Sequence, residues 1–463
     1  MTSHVHHRSD FRALSHQSTR RWTVVLAIVF LLVAAQASFA QITTEVLIGD
    51  SVSDLGPKYA DVDEAIKRFN NRDVLGTRQF LESAKRKNPN LPPTELLLAK
   101  MFFLGGNTTS GQVSLEQTVM NNPGDPEPYL LLGDQAISVG RTIDAEALYE
   151  KSMRLIEGFE GNAKRKRNFI IKARNGHSVV AERRKQWETA VEDLRALIEV
   201  DPDNAAAHYR LGRSLFMLNK QREGYDEFVK AQELDKELPN PYVASALMYE
   251  MLDKRAEAQK AFERAVSVDK TNLKTLTAYS QWLIQTGDAA KAETALAAAR
   301  KIDAESVDVL SLSGVAARMA KKMKPAEDYF VSALRLAPSN GGVINQLALL
   351  LVDQPDDAKR NRAYEFAQIN ATLRPESTEA NVTLAWVLYK MGRNRDAGIA
   401  LRKGLQSGNL SPDSSYLVAQ MLVGQDQKDA ARQLLDNALE NSDGSLFIMR
   451  QEAEALKKSL GGS

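Results

Sequence analysis

Cysteine is absent from all 463 residues. That excludes disulfides, cysteine-ligated zinc and a lipid-attachment cysteine. It leaves the compartment open, because a chain this long can bury a core without covalent staples. Histidine is scarce as well. Of six, His4, His6, His7 and His16 lie near the start, leaving only His177 and His208 for chemistry elsewhere. No GxxxxGK[ST] loop is present to cradle a phosphate. An excess of one charge is also missing, since 60 Lys and Arg stand against 59 Asp and Glu. Such a balance does not draw a chain toward nucleic acid or an anionic surface.

Long apolar runs are missing too, with one exception. Arg20 and Arg21 precede an uncharged stretch from Thr23 to Ala35, and small residues follow at Ala35 and Ala37 and again at Ser38 and Ala40. A positive flank, a short apolar stretch and a small-x-small site predict a secretory signal over residues 1–40, cut after Ala37 or Ala40. The second reading is a retained anchor, because Trp22 to Ala40 approaches the ~20 residues that cross a bilayer. The chain is therefore expected to be exported, periplasmic or extracellular, or tethered in the cytoplasmic membrane. Without residues 1–40 its formal charge falls from +1 to −2.

What the sequence has in abundance is self-similarity. A small residue opening the pattern small-x-x-x-large-x-x-small recurs at Thr77, Gly111, Ala145, Ala190, Gly224, Ala258, Ala292, Ala326, Ala363, Ala397 and Ala431. Successive steps are 34 residues except for one of 45, ending at Ala190, and one of 37, ending at Ala363. Four residues on comes a large side chain, as at Leu81, Tyr149, Phe228, Phe262 and Phe330, so both lie on one helical face. Twelve residues before most anchors a second small residue recurs, at Ala99, Gly133, Gly212, Ala246, Ser280, Gly314, Ala385 and Ala419. Small residues at two facing positions let helix axes approach to ~8–10 Å. A single such hairpin cannot bury its apolar face alone, so the units stack.

Tyr242-x2-Ser245-Ala246-x2-Tyr249 followed by Ala258-x3-Phe262-x2-Ala265, and Leu310-x2-Ser313-Gly314 followed by Ala326-x3-Phe330 and Pro338, resemble the tetratricopeptide-repeat pattern. The resemblance implies an all-α superhelical solenoid of about eleven helix-turn-helix repeats. The organisation read from the sequence is a signal at 1–40, a linker at 41–57, repeats one to three at 58–160 and a basic insertion at 161–185. The remaining repeats fill 186–441, and a capping helix and tail fill 442–463. The first helix of the unit before Ala190 has no clean apolar face, since neither Gly176 nor Ser178 supplies one.

Two stretches invite a chemical reading. Ile48-Gly49-Asp50-Ser51 resembles the nucleophile block of GDSL-type hydrolases, whose serine needs a histidine base from a D-x-x-H block. Neither His177 nor His208 follows an Asp by three residues, so the stretch reads as polar linker and no catalytic residue is expected. Lys164, Arg165, Lys166 and Arg167 open a run of nine basic residues ending at Lys185, opposed within the run only by Glu182. That run reads either as a patch for an anionic polymer or lipid head group, or as the solvated face of a long helix.

The family resemblance also implies where binding occurs, since first helices of successive repeats line the concave surface. By offset that face presents Tyr209, Arg213, Phe216, Thr277, Gln281, Asn345, Trp386, Tyr389, Tyr416 and Gln420, and aromatic and Arg side chains are common interface anchors. The family's Lys/Asn carboxylate clamp is not matched, because the corresponding pairs are Tyr209/Arg213, Val243/Leu247, Thr277/Gln281 and Ser311/Val315. The expected protein is a non-enzymatic scaffold for protein or peptide segments. No metal, cofactor or nucleic acid is expected.

Overall fold

Asn, Asp and Ser mark the helix starts of this chain with unusual regularity. In the computed structural model, which describes residues 42–52, 55–406, 410–440 and 447–461, Asn204, Asn240, Asn272, Ser306, Asn340, Ser377 and Ser411 each cap a first helix. The side-chain oxygen accepts a backbone N–H of the first turn that has no intrahelical partner. The export segment falls outside the described residues. Among those described, no helix is long and apolar enough to cross a membrane.

Among the described residues, a short helix α1 (Thr44–Ile48) is followed by twenty-two helices that pair into eleven hairpins. The first four hairpins are α2 (Ala60–Asn70) with α3 (Val74–Lys87), α4 (Thr94–Leu104) with α5 (Thr108–Asn121), α6 (Glu127–Ser138) with α7 (Thr142–Glu157), and α8 (Ala163–Arg183) with α9 (Trp187–Val200). Four more are α10 (Ala205–Met217) with α11 (Gln221–Leu234), α12 (Pro241–Met251) with α13 (Arg255–Val268), α14 (Leu273–Gln285) with α15 (Ala289–Ile302), and α16 (Val307–Met319) with α17 (Met323–Leu336). The last three are α18 (Gly341–Val352) with α19 (Asp357–Leu373), α20 (Thr378–Lys390) with α21 (Asn394–Gln406), and α22 (Pro412–Gly424) with α23 (Lys428–Glu440). A single helix α24 (Arg450–Ser459) follows. The chain divides after Pro202 into a first unit, hairpins one to four, and a second unit, hairpins five to eleven with α24.

The small anchors are buried where the two helices of a hairpin cross. A Cβ on Gly314 would lie 2.5 Å from the Phe330 ring, and one on Gly133 would lie 2.8 Å from Tyr149. At these two facing positions the missing Cβ makes room for the ring four places after the anchor, while Ala246 serves the same purpose opposite Phe262. Ten of the eleven hairpin turns place a left-handed residue five positions before the anchor. Gly106, Gly140, Gly287 and Gly392 do this at no steric cost, while Arg72, Lys185, Asn219, Asp253, Lys321 and Asp426 do it despite a Cβ. The exception is hairpin nine, whose three extra residues near Asp353–Asp357 replace that turn.

Within each unit, first helices also touch one another across hairpins, as α6 touches α8 and as α18, α20 and α22 touch in series. In the second unit the first helices therefore form one continuous inner face. Two sequence expectations meet a different structure. The segment expected as linker, 41–57, instead places Leu47, Ile48 and Val52 in the core of the first unit with α2 and α4. The segment expected as a basic insertion, 161–185, is chiefly α8, the missing first helix of hairpin four. Ser178, twelve before Ala190, is buried there, and Gly176 receives Tyr149, so that a Cβ would stand 2.2 Å from the ring. The small residues were at their posts, but polar neighbours masked the face.

Candidate functional site

The second unit carries a broad cavity on its inner face at hairpins five to seven. First helices α10, α12 and α14 supply Tyr209, Arg213, Leu247, Met251, Gln281 and Trp282 to one side of a cavity of about 670 Å3. Glu440, ending α23, and Arg450, starting α24, close the other side. Leu247 is 42% and Met251 55% exposed, a large apolar presentation for helix side chains that face inward.

Polar groups are fixed around that apolar floor. Trp282 Nε1 donates to Glu250 Oε2 at 2.9 Å, and Arg255 Nε stands 3.9 Å from Glu250 Oε1. The Trp282 ring stacks on Tyr279 at 6.2 Å between centroids and tilts against Phe262 at 5.3 Å. Tyr209 leans on Phe228 at 5.2 Å, and burial pushes its hydroxyl above the usual phenol range although Arg213 opposes the shift. Gln281 is exposed. The arrangement offers an apolar floor, one aromatic edge and both signs of charge, which suits an amphipathic peptide segment better than a small polar ligand.

The C-terminal segment is part of this architecture. Phe447, Met449 and Ala453 are buried in the core of the second unit. Asp413 accepts the Met449 N–H at 2.7 Å through Oδ1 and the Ile448 N–H at 3.2 Å through Oδ2. Burial pushes the Asp413 carboxyl up to about 6, against the lowering effect of those two N–H donors. Gln451 Nε2 donates to the Thr286 carbonyl at 3.3 Å, a contact spanning 165 residues.

The other residues expected on the groove are placed differently. Phe216 is 1% exposed, stacked on Phe228 at 5.5 Å and set edge-on to Tyr249, so it belongs to the core between hairpins. Its offset was right for a first helix, but the ring turns toward its own hairpin rather than outward. Trp386 and Tyr389 share a face, their rings stacked at 5.8 Å, yet Trp386 is 6% and Tyr416 8% exposed. Tyr416 receives a hydrogen bond from Gln420. Asn345 accepts from Asn370 Nδ2 at 2.7 Å, and Arg374 Nη1 donates to Asn370 Oδ1 at 2.6 Å, a network on the wall of a second, polar cavity of about 390 Å3. Sequence reasoning found Tyr209, Arg213 and Gln281 but missed Leu247, Met251, Glu250 and Arg450. Only the exposed apolar Leu247 and Met251, four residues apart on one helix, left a signal.

The basic stretch of the first unit is taken up by partners that lie far away in sequence. Arg165 is buried between Asp125 and Glu127, 2.8 Å from each, and sits 4.8 Å from the Phe169 ring centroid. Burial alone would raise the Glu127 carboxyl, but Lys100 and Arg165 together hold it down at about 2. Arg167 Nη2 lies 3.3 Å from Asp201, Arg174 Nη1 lies 2.7 Å from Asp193, and Arg184 pairs with Glu146. Lys166 Nζ donates to the Glu157 carbonyl at 3.2 Å, and Lys164 Nζ donates to that of Gly49 at 2.8 Å. His177 Nδ1 stands 2.5 Å from Asp193, and His208 Nδ1 stands 2.6 Å from Glu227, so each histidine joins the helices of its own hairpin.

A family model described as "TPR repeat" matches residues 183–219. No curated protein matches the sequence. Among solved structures, yeast Tom70 is 15% identical, with 87% of this chain and 95% of that chain covered at a TM-score of 0.39. YrrB, described as a TPR protein with an unusual peptide-binding site, is 16% identical, covering 50% of this chain and 95% of its own at a TM-score of 0.25. MamA is 19% identical, covering 40% of this chain and 94% of its own at a TM-score of 0.29. Likenesses at these scores say nothing about partners.

Proposed function

We propose that this chain, a tetratricopeptide-repeat protein, is an exported scaffold that holds an amphipathic segment of another protein against the inner face of hairpins five to seven. The coarser role, a protein-interaction scaffold, is what the repeat fold supports. The observation that carries the finer reading is the cavity of about 670 Å3 where exposed Leu247 and Met251 sit beside Tyr209, Arg213 and Gln281. Exposed apolar side chains ringed by fixed polar groups mark docking sites. Export rests on the basic flank, the apolar run and the small-x-small site of residues 1–40, and it suggests partners in the envelope or outside the cell.

Crosslinking in intact cells followed by co-purification identifies the partner, and binding is then measured for single variants. Met251→Ala, Tyr209→Ala and Arg213→Ala should each weaken affinity by roughly 1–4 kcal/mol. Glu263→Ala, on the exposed side of α13, should leave it unchanged. Equal losses in all four, or none in the first three, would remove the cavity from the binding site.

A further inference from the structure

The basic helix α8 grips a peptide already. Residues 49–52 run past one stripe of it, where Lys164, Asn168 and Lys172 follow at helical spacing of four. Lys164 Nζ donates to the carbonyls of Gly49 at 2.8 Å and Val52 at 3.5 Å. Asn168 Nδ2 donates to the Asp50 carbonyl at 3.3 Å, and Lys172 Nζ lies 3.4 Å from the Asp50 carboxylate. Just before them, Leu47 and Ile48 are fully buried against α2 and α4. Two donors to backbone carbonyls, one cation on an acidic side chain and one slot for two aliphatic side chains are the parts of a peptide-recognition site. All of these groups belong to the first unit.

The geometry points to a second binding site, in the first unit. It takes a partner-protein segment in which two adjacent aliphatic residues are followed two places later by an acidic one, and the chain's own Leu47-Ile48-Gly49-Asp50 occupies it in cis. Charge complementarity selects the acid, because Lys172 faces it. The apolar slot selects the aliphatic pair, and the Lys164 and Asn168 contacts to carbonyls are indifferent to sequence. The resident segment is not an ideal ligand. Ser51 is buried and its Oγ has no hydrogen-bond partner, a defect that favours an incoming segment lacking the hydroxyl. The resident's advantage is its tether, which gives it a high effective concentration.

The test keeps every group in place. A specific protease site is inserted between Gly56 and Pro57 of the full chain, and the folded protein is cut. A fluorescent peptide of residues 42–56 is then added, and its anisotropy is followed. The cut chain should take up the peptide, and the uncut chain should do so at least about tenfold more weakly, since the tether is intact. A peptide carrying Ser51→Ala should bind more tightly than the native sequence. Peptides carrying Asp50→Lys, or Leu47→Asp with Ile48→Asp, should fail to bind. Lys164→Glu with Lys172→Glu in the cut chain should weaken uptake by roughly tenfold, with helical content unchanged by circular dichroism. Failure of the folded, cut chain to exchange its segment, or uptake indifferent to these peptide changes, would overturn the site. Doubling of the uncut chain's mass in ultracentrifugation would assign the slot to a second copy and overturn the partner reading.

Discussion

Gly140 and Lys321 occupy the same place in their repeats, five residues before the anchor, both with positive φ. The first has no Cβ and the second strains one. A Cβ on Gly140 would meet nothing within 4 Å, so Gly140→Ala isolates the backbone term and should cost ~1 kcal/mol. Lys321→Gly should move the other way, by less, because glycine also loosens the unfolded chain. Denaturant titration of both variants checks this, and a stabilising Gly140→Ala would disprove the account. Glycine marks some of these turns, as at Gly287, but nothing in residue type marks the ones built on Arg72, Lys185 or Asp253. The repeat dictates a left-handed φ there whatever residue arrives, so composition alone cannot mark the position. Phe216 teaches the same lesson for the site: its register was legible, but which way its ring turned depended on Phe228 and Tyr249.

At the scale of one helix, α8 was the hardest to read and is the most informative. Along the chain its cations meet only Glu182, yet in the fold Asp125, Glu127, Asp193 and Asp201 come to them from other parts of the first unit. Charge counted in sequence cannot see that. Arg165→Met would take the cation from Asp125 and leave Glu127 to Lys100 alone, at a cost of about 3 kcal/mol, the lower end of the usual penalty for breaking a buried ion pair. A loss under ~1 kcal/mol would show the pair to be solvated. Glu127 also sets a pH dependence. Its folded carboxyl sits at about 2 against an ordinary 4.5, so its stabilisation is complete above 4.5 and fades as the pH falls toward 2. Asp413 has the opposite sign. Its folded value of about 6 exceeds the ordinary 3.8, so its contribution is complete below 3.8 and is lost as the pH rises through 6. Asp413→Asn should therefore gain melting temperature relative to the parent between pH 4 and 7. A difference that stays flat over that range would exclude the ionisation of Asp413.

At the scale of the whole chain, the eleven-fold repetition was legible because one steric requirement, small against large, recurs every 34 residues. The two ends were not legible, because they follow no repeat. Residues 42–52 looked polar around Asp50 and Ser51, and only their neighbours α2, α4 and α8 reveal Leu47 and Ile48 as core. Residues 1–40 bear on this end as well. If the signal is cut after Ala37 or Ala40, the new terminus lies a few residues before Leu47, and sequencing the N-terminus of protein recovered outside the cytoplasm should begin at Ser38 or Gln41. A terminus that still includes Trp22 in the membrane fraction would make residues 1–40 an anchor instead.

Nearly every contact in a stacked array joins residues closer than two repeats, so hairpins can form while synthesis continues. The two chain ends depart from this. Lys164 reaches Gly49 across 115 residues, and Gln451 reaches Thr286 across 165. Such contacts must wait for their distant partner to exist. For the first unit, the segment 42–52 stands unclasped until α8 emerges. For the second, the cavity beside Met251 has no Arg450 wall until α24 emerges. Each inner face thus has an interval, fixed by the order of synthesis, in which it is bare. Refolding from denaturant should repeat the sequence as a fast helical phase followed by a slower one that buries the ends.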